Sequence, residues 1–274
     1  VIWRSKRVKC HSGAAMEAKM IFYKYHGCGN DFILIDEMKN VDYRSLAVRI
    51  CERRTGIGAD GLIVCSRHPP SMRIFNSDGT EASMCGNGIR CAARYFADTG
   101  ISGEKFGVRT LDGVKTLELC RGGEILVDMG EAHFSTAGGF CKTYMLDGRK
   151  VLFYEVFVGC AHAVVFCDDI YRELLFGTAA KLSCCELFPQ KINVDLVRVD
   201  GRRELTVRTF ERGAGYTAAC GTGACASYAV ARKLKLCDEK VTVHFELGSL
   251  CVSGGEHIRL CGGAELVFKG EWGE

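Results

Sequence analysis

"CGNGIRCAARYFA" (Cys85–Ala97) and "CGTGACASYAVAR" (Cys220–Arg232) share one pattern, Cys-Gly-polar-Gly running into an alanine-rich stretch. Setting Cys85 on Cys220 gives an offset of 135 residues. Without a gap, Arg73 then falls on Arg208, Phe75 on Phe210, Asn76 on Glu211, Gly86 on Gly221 and Gly88 on Gly223. A looser match at an offset of 132 lays "GCGN" (27–30) on "GCAH" (159–162) and Asp36 on Asp168. Both offsets are about half of the 255 residues that follow from Met20 onward. Self-similarity at a fixed offset predicts a duplicated architecture, here two similar halves about a pseudo-twofold axis.

The rest of the chain reads mainly as strands. "INVDLVRV" (192–199) and "RELTVRTF" (203–210) flank Asp200-Gly201, a hairpin signal. "VKTLELC" and "EILVDM" flank Gly122-Gly123, and "KVTVHFELGSLCVS" (240–253) reads as two strands turning near Gly248. "KVLFYEVFVG" (150–159) and "AHAVVFCDD" (161–169) are also strand-like. Helices are expected at about 43–53, 87–98, 170–176 and 222–236. The pattern predicts an α+β fold of mostly antiparallel strands rather than regular βαβ alternation.

Composition narrows the function classes. The 274 residues are 47% hydrophobic and 25% charged, an ordinary globular balance. Net charge is +3, but Arg4, Lys6, Arg7, Lys9 and Lys19 against Glu17 put +4 into the first nineteen residues, leaving −1 for the rest. Such a body has no basic excess with which to hold nucleic acid. No apolar run of about 18 residues is present, so no membrane partner is expected. Residues 1–19 lack the apolar core of a secretory signal and read as a leader or expression-derived segment, with the natural start at Met20. The 17 cysteines form no CxxC pair and no zinc-like spacing. A chain this long does not need disulfides for a core, so it reads as a reduced, cytoplasmic protein using most cysteines as small buried apolar residues.

The repeated stretch carries chemistry. Its glycines let backbone amides approach a ligand. A helix N-terminus offers unpaired N–H groups and the positive end of a dipole, a geometry that binds carboxylate or phosphate and lowers the pKa of a nearby thiol. Two such termini facing each other would aim two thiols at one bound anion. If that anion is an α-carboxylate, one thiolate can remove the α-proton and the other thiol return a proton to the opposite face. General acid–base work of this kind needs one group deprotonated and one protonated. Two thiols so placed should also oxidise readily to a disulfide. Three other readings compete. Each CGxG could be a nucleotide-phosphate loop, although neither sits in a clear βαβ unit. Cys85 with Cys91, or Cys220 with Cys225, could ligate a metal, although no histidine accompanies them. Each cysteine could simply be core.

The residues resemble the diaminopimelate epimerase family from Met20 onward. "KYHGCGNDFILID" (24–36), "RTGIGADGLI" (54–63), "FNSDGTEASMCGNGIRC" (75–91) and "ERGAGYTAACGTGAC" (211–225) are similar to its motifs. The resemblance implies two pseudo-symmetric halves, each a sheet or barrel wrapped around a central helix. The halves are expected at 20–122 and 123–263, with a returning strand within 264–274 joining the first. It implies interconversion of LL- and meso-diaminopimelate in lysine biosynthesis, with no cofactor and no metal and with a small-molecule amino acid as partner. Homodimerisation is left open. By position, Cys85 and Cys220 match the two acid–bases, and His162 and Glu211 match groups that polarise the site. Gly86, Asn87, Gly221 and Thr222 match the holders of the reacting carboxylate. Asn30, Asn76, Asn193 and Arg212 match substrate-binding positions, mostly for the distal amino-acid end. Taken singly, His162, Asn30, Asn193 and Arg212 would read as structural. Two departures stand out: Cys160-Ala161-His162 where the family has Asn-Pro-His, and Gly215-Tyr216-Thr217 where it has Gly-Glu-Thr. Cys160 and Tyr216 are therefore specificity candidates. The alternatives are a racemase of another amino acid, such as histidine, and, outside enzymes, an amino-acid-binding protein.

Overall fold

The computed structural model describes residues 19–100, 103–135 and 139–273. The leader expected over 1–19 lies outside them apart from Lys19. The chain runs β1 (Met20–Gly27), β2 (Asn30–Asp36), α1 (Tyr43–Cys51), β3 (Gly61–Arg67), β4 (Pro70–Asn76), β5 (Glu81–Ala82), α2 (Gly86–Asp98), β6 (Lys105–Thr110), β7 (Gly113–Leu119), β8 (Glu124–Glu131) and β9 (His133–Phe134). It continues β10 (Cys141–Leu146), β11 (Arg149–Val158), β12 (Cys160–Phe166), α3 (Ile170–Phe176), α4 (Thr178–Ser183), β13 (Asn193–Gly201), β14 (Glu204–Glu211), β15 (Gly215–Tyr216), α5 (Gly221–Lys233), β16 (Lys240–Phe245), β17 (Gly248–Ser253), β18 (His257–Gly263) and β19 (Glu265–Trp272).

Strand pairing repeats once. In the first half β1 pairs antiparallel with β2, β2 parallel with β3, β3 antiparallel with β4, β4 parallel with β6, and β6–β7–β8 form a meander. The second half repeats this with β11, β12, β13, β14 and the meander β16–β17–β18. The α+β fold of two pseudo-symmetric halves is thus as the repeat predicts, with a few parallel pairs in each. β8 and β18 pair with each other and join the halves. Past that seam the chain crosses over: β9 pairs with β11 of the second half, and β19 returns to β1 of the first. The expected division at 122/123 falls in the β7–β8 turn, where Gly122 and Gly123 both have positive φ, and β8 still pairs with β7.

Each half wraps a central helix. α2 packs against β1, β2, β3, β4 and β8, and α5 against β11 to β14, β17 and β18. Both helices are buried on nearly every side, which suits their alanines and cysteines: small side chains let strands approach all round. The larger ones, Tyr95, Phe96, Tyr228 and Val230, fill the remaining space. Each contributes roughly 1.5–3 kcal/mol by burial. A single apolar cluster spans both helices. α1 covers the outer sheet face of the first half, and α3 and α4 that of the second.

Two local readings shift. The hairpin turn is at Arg202-Arg203, because Asp200 bulges out of register and its carboxylate accepts from Arg198 Nε at 2.5 Å and from Thr206 Oγ1. α4 was not expected. Gly177, at φ 63°, ends α3 in a left-handed cap and starts α4 at once, so one glycine stops a helix and begins another. Of the sixteen described cysteines, six are buried and two exposed, so core filling accounts for a minority rather than most.

Candidate active site

Cys85 and Cys220 are the N-cap residues of α2 and α5. Each has extended backbone, and each sulfur accepts from the glycine three residues on, Gly88 N and Gly223 N, at 3.4 Å. The sulfur thus takes the place of the oxygen that usually caps a helix. The helices meet end to end. A Cβ added to Gly86 would lie 3.2 Å from Gly221 Cα, and one added to Gly221 3.1 Å from Gly86 Cα. Only glycine at both positions lets the termini come this close. The first-turn N–H groups of Gly86, Asn87, Gly221 and Thr222 have no intrahelical acceptor. These N–H groups face the junction of the two helices, with a capping thiol on each side.

A polar network from the second half surrounds Cys220. His162 is wholly buried; its Nδ1 lies 2.7 Å from Asp195 Oδ2, and its Nε2 lies 3.0 Å from Thr222 Oγ1 and 3.2 Å from Cys160 Sγ. Asp195 is equally buried, and its other oxygen accepts from Thr209 Oγ1 at 2.7 Å. Thr222 Oγ1 is also 3.3 Å from Cys220 Sγ. Asn193 Oδ1 accepts from the Arg212 backbone N–H at 2.8 Å, which turns its Nδ2 toward Cys160 Sγ at 3.2 Å. Glu211 Oε1 accepts from Thr217 Oγ1 at 2.6 Å. Burial tends to lower the His162 pKa, but the negative charges of Asp195 and Cys160 outweigh it and hold His162 well above the ordinary range. Burial pushes the Glu211 carboxyl up.

The thiols differ from the expectation of activation. Burial pushes Cys85 up to about 11, against the lowering pull of the Gly88 amide, and Glu211 pushes it further. Cys220 is raised well above the usual thiol range by burial, then by Glu211 and Asp195. The helix terminus acts in the expected direction, but desolvation of the charged form is larger.

The first half supplies a second network. Asn30 Nδ2 donates to Asp60 Oδ2 at 2.7 Å, and Asn30 Oδ1 accepts from Asn87 Nδ2 at 3.1 Å. Asn87 Nδ2 also donates to Ala219 O at 2.9 Å, tying the halves beside Cys220. Arg90 is wholly buried and donates to Asn87 Oδ1, Gly86 O and Gly263 O at 2.9, 2.8 and 3.2 Å. The Asn87 side chain is thus fully engaged, and what it offers a ligand is its backbone N–H. Behind Asn30, Arg53 bridges Asp60 and Asp31, and Lys24 pairs with Asp31 at 2.9 Å. Burial raises the Asp31 carboxyl, but Arg53 and Lys24 overcome it and hold its pKa at about 2. A depressed carboxylate stabilises the fold above its unfolded value of about 3.9, and that contribution is lost as pH falls through about 2. Asp31→Asn should therefore cost ~1–2 kcal/mol at pH 7, less than the full ~2.6 because the exposed Arg53 is screened. In urea titrations the gap between mutant and parent should narrow as pH falls from 4 toward 2; a gap independent of pH would refute it.

Not every expected side chain joins these two networks. Asn76 is exposed and its Nδ2 donates to Thr80 Oγ1 at 2.9 Å in the β4–β5 turn. The exposed Arg212 guanidinium has no ion-pair partner among the described residues. Tyr216 is turned away from the thiols: its ring packs edge-on against Phe210 at 5.2 Å, on the outer sheet face that α3 and α4 cover. Its counterpart Glu81 lies on the equivalent outer face and pairs with Arg73 at 2.7 Å and with Arg44 of α1 at 3.4 Å. Cys160, in contrast, stands inside the His162 network. Asp195, Thr209, Asp60 and Arg90 were not anticipated. For Arg90 the signal was an arginine within an otherwise small, apolar helix. A cavity of about 140 Å³ lined by Leu146, Arg149, Phe176 and Thr178 shares no residue with the thiol site.

The profile of the family described as diaminopimelate epimerase matches residues 22–135 and 154–257. The diaminopimelate epimerase of Caldanaerobacter subterraneus subsp. tengcongensis is 42% identical, over 92% of this chain and 99% of its own. That of Archaeoglobus fulgidus is 40% identical, over 92% and 96%. Among solved structures, a hydroxyproline epimerase from Agrobacterium vitis with bound trans-4-hydroxy-L-proline superposes with a TM-score of 0.74 at 12% identity, covering 93% of this chain and 92% of that one. A phenazine biosynthesis protein of the PhzF family from Bacillus anthracis gives 0.71 at 14%, covering 93% and 99%. At such identities the structural likeness speaks for the fold.

Proposed function

The chain belongs to the diaminopimelate epimerase family, and on that footing we propose that it interconverts LL- and meso-diaminopimelate with Cys85 and Cys220 as opposed acid and base. The observation that carries the reading is the end-to-end contact of α2 and α5 at Gly86 and Gly221, with a thiol capping each helix. The two halves each supply one thiol. The α-carboxylate sits on the paired N-termini, where the amides stabilise charge as the α-proton leaves. Both thiols are held protonated at neutral pH, so one must first lose its proton. Glu211, whose field reaches both sulfurs and whose own carboxyl is raised, accepts it. The resulting thiolate removes the α-proton, and the opposite thiol delivers one to the other face. Asn30, Asn76, Asn193 and Arg212 hold the distal end, the free guanidinium taking its carboxylate. The same reading places the enzyme in lysine biosynthesis and in the cytoplasm. Among the described residues no helix is long and apolar enough to cross a membrane.

A racemase of another amino acid, histidine included, is the second reading. It is favoured by one observation: Asn193 spends its amide on Cys160 and on Arg212 N, which thins the polar set left for a distal amino-acid group. The test is solvent deuterium uptake at the α-carbon without added cofactor, run on LL-diaminopimelate and the twenty L-amino acids. Uptake with diaminopimelate alone is expected. Uptake with another amino acid instead supports the second reading, and binding with no uptake at all would make the chain an amino-acid-binding protein.

A further inference from the structure

Cys160 stands in a setting that neither acid–base thiol has. Its sulfur is approached by Asn193 Nδ2 at 3.2 Å, His162 Nε2 at 3.2 Å and Thr222 Oγ1 at 3.4 Å. The orientation of the Asn193 amide follows from its other end, because Oδ1 accepts from the Arg212 N–H. Asp195 has one oxygen engaged by Thr209 and the other at His162 Nδ1, so that ring nitrogen carries the proton and Nε2 is the one facing sulfur. The order is sulfur, Nε2, Nδ1, carboxylate, which is the order of an activated nucleophile, its base and the group that orients the base. Cys160 is half-buried, whereas His162 and Asp195 behind it are closed off. His162 draws the Cys160 pKa below the ordinary thiol value against the effect of burial, while Cys85 and Cys220 are pushed up. Cys220 Sγ and Cys160 Sγ also share one neighbour, the Thr222 hydroxyl.

We infer that Cys160 is the resting thiolate of this site and a covalent modification site for small electrophiles, hydroperoxides first, with Cys220 as the thiol that resolves the product. The Cys160 sulfur attacks one peroxide oxygen and the O–O bond breaks. The leaving hydroxide takes the His162 Nε2 proton and departs as water, leaving a sulfenic acid on Cys160. The Cys220 thiol then attacks that sulfur; a disulfide forms, and the hydroxyl leaves with the thiol proton as a second water. One peroxide is reduced and two thiols are oxidised. Modification at either stage places a substituent beside Cys220 and stops acid–base chemistry there, and a thiol reductant reverses it.

The test uses the whole chain and reads labelling rather than turnover, so it stands apart from the substrate assignment. Limiting iodoacetamide is added between pH 6 and 8, and each cysteine is quantified by peptide mass spectrometry. Cys160 is expected to react at pH 6 at least about tenfold faster than Cys85 or Cys220, with a nearly flat pH profile, as a preformed thiolate does. A Cys160 rate that climbs about tenfold per pH unit, as for a free thiol of pKa about 8.5, overturns the inference. So does faster reaction of Cys85. With one equivalent of hydrogen peroxide, a Cys160–Cys220 cross-link is expected in the parent and a dimedone-trapped Cys160 sulfenic acid in Cys220→Ser. A Cys85–Cys220 cross-link with Cys160 still free would overturn it. Thr222→Val keeps the ion pair and should leave the pH 6 rate within a few fold, while His162→Gln should lower it more than about tenfold. Should His162→Gln fail to fold, the parent pH profile decides alone.

Discussion

Replacing Cys85 or Cys220 by alanine is expected to lower epimerisation about 10²–10⁴-fold, the usual worth of a positioned acid or base. The loss should be stereochemically lopsided. A single mutant keeps one thiol, which addresses one face of the α-carbon. It should still exchange the α-hydrogen of one stereoisomer with solvent, while inversion to the other is lost. Cys85→Ala and Cys220→Ala should spare opposite stereoisomers. The assay is deuterium uptake by nuclear magnetic resonance alongside chiral separation of the product. Unchanged epimerisation in either mutant would remove the two-base scheme. Each sulfur also caps its helix, so alanine costs folding stability as well, at the lower end of about 0.5–2 kcal/mol because sulfur is a weak acceptor. Cys→Ser at either position keeps a capping atom while losing the thiol. Equal loss of turnover in serine and alanine variants separates chemistry from capping.

The second large effect lies at Asp195. Asp195→Ala removes one partner of a fully buried pair and leaves His162 and the Thr209 hydroxyl without it. The expected cost is about 3–5 kcal/mol, since a buried group left uncompensated keeps its full desolvation penalty. For a chain of this size that is a fall of about 10 °C in Tm. The pH dependence has a definite sign. His162 has a folded pKa above its unfolded value of about 6.5. Its pairing therefore stabilises fully below about pH 6.5 and fades as pH rises through the folded value. The gap between parent and mutant should be widest in mild acid and narrow in alkali. A gap that widens with pH would mean that His162 is neutral in the folded protein.

Much of this arrangement is legible in the amino-acid sequence. The offset of 135 residues located both thiols, both glycines at the helix contact and the doubling of the fold. These are local matters: a capping residue, glycines that let backbones meet, and a run of small residues that can only be a buried helix all act over a few consecutive positions. Asp195 was not legible, because within "INVDLVRV" it is simply one alternating strand position. Only the parallel pairing of β12 with β13 brings it to His162. The direction in which Tyr216 points was not legible for a related reason. It neighbours Thr217, which touches Glu211, yet adjacent strand residues face opposite ways, and its pairing with Phe210 turns it outward. The thiol ionisation misled too, since the helix terminus is written in the local sequence but the desolvation that outweighs it comes from residues all over the chain. The duplicated fold and the two helix-capping thiols follow from short runs of neighbouring residues; what surrounds those thiols follows from folding, because burial and cross-strand neighbours are set by residues far apart in the chain.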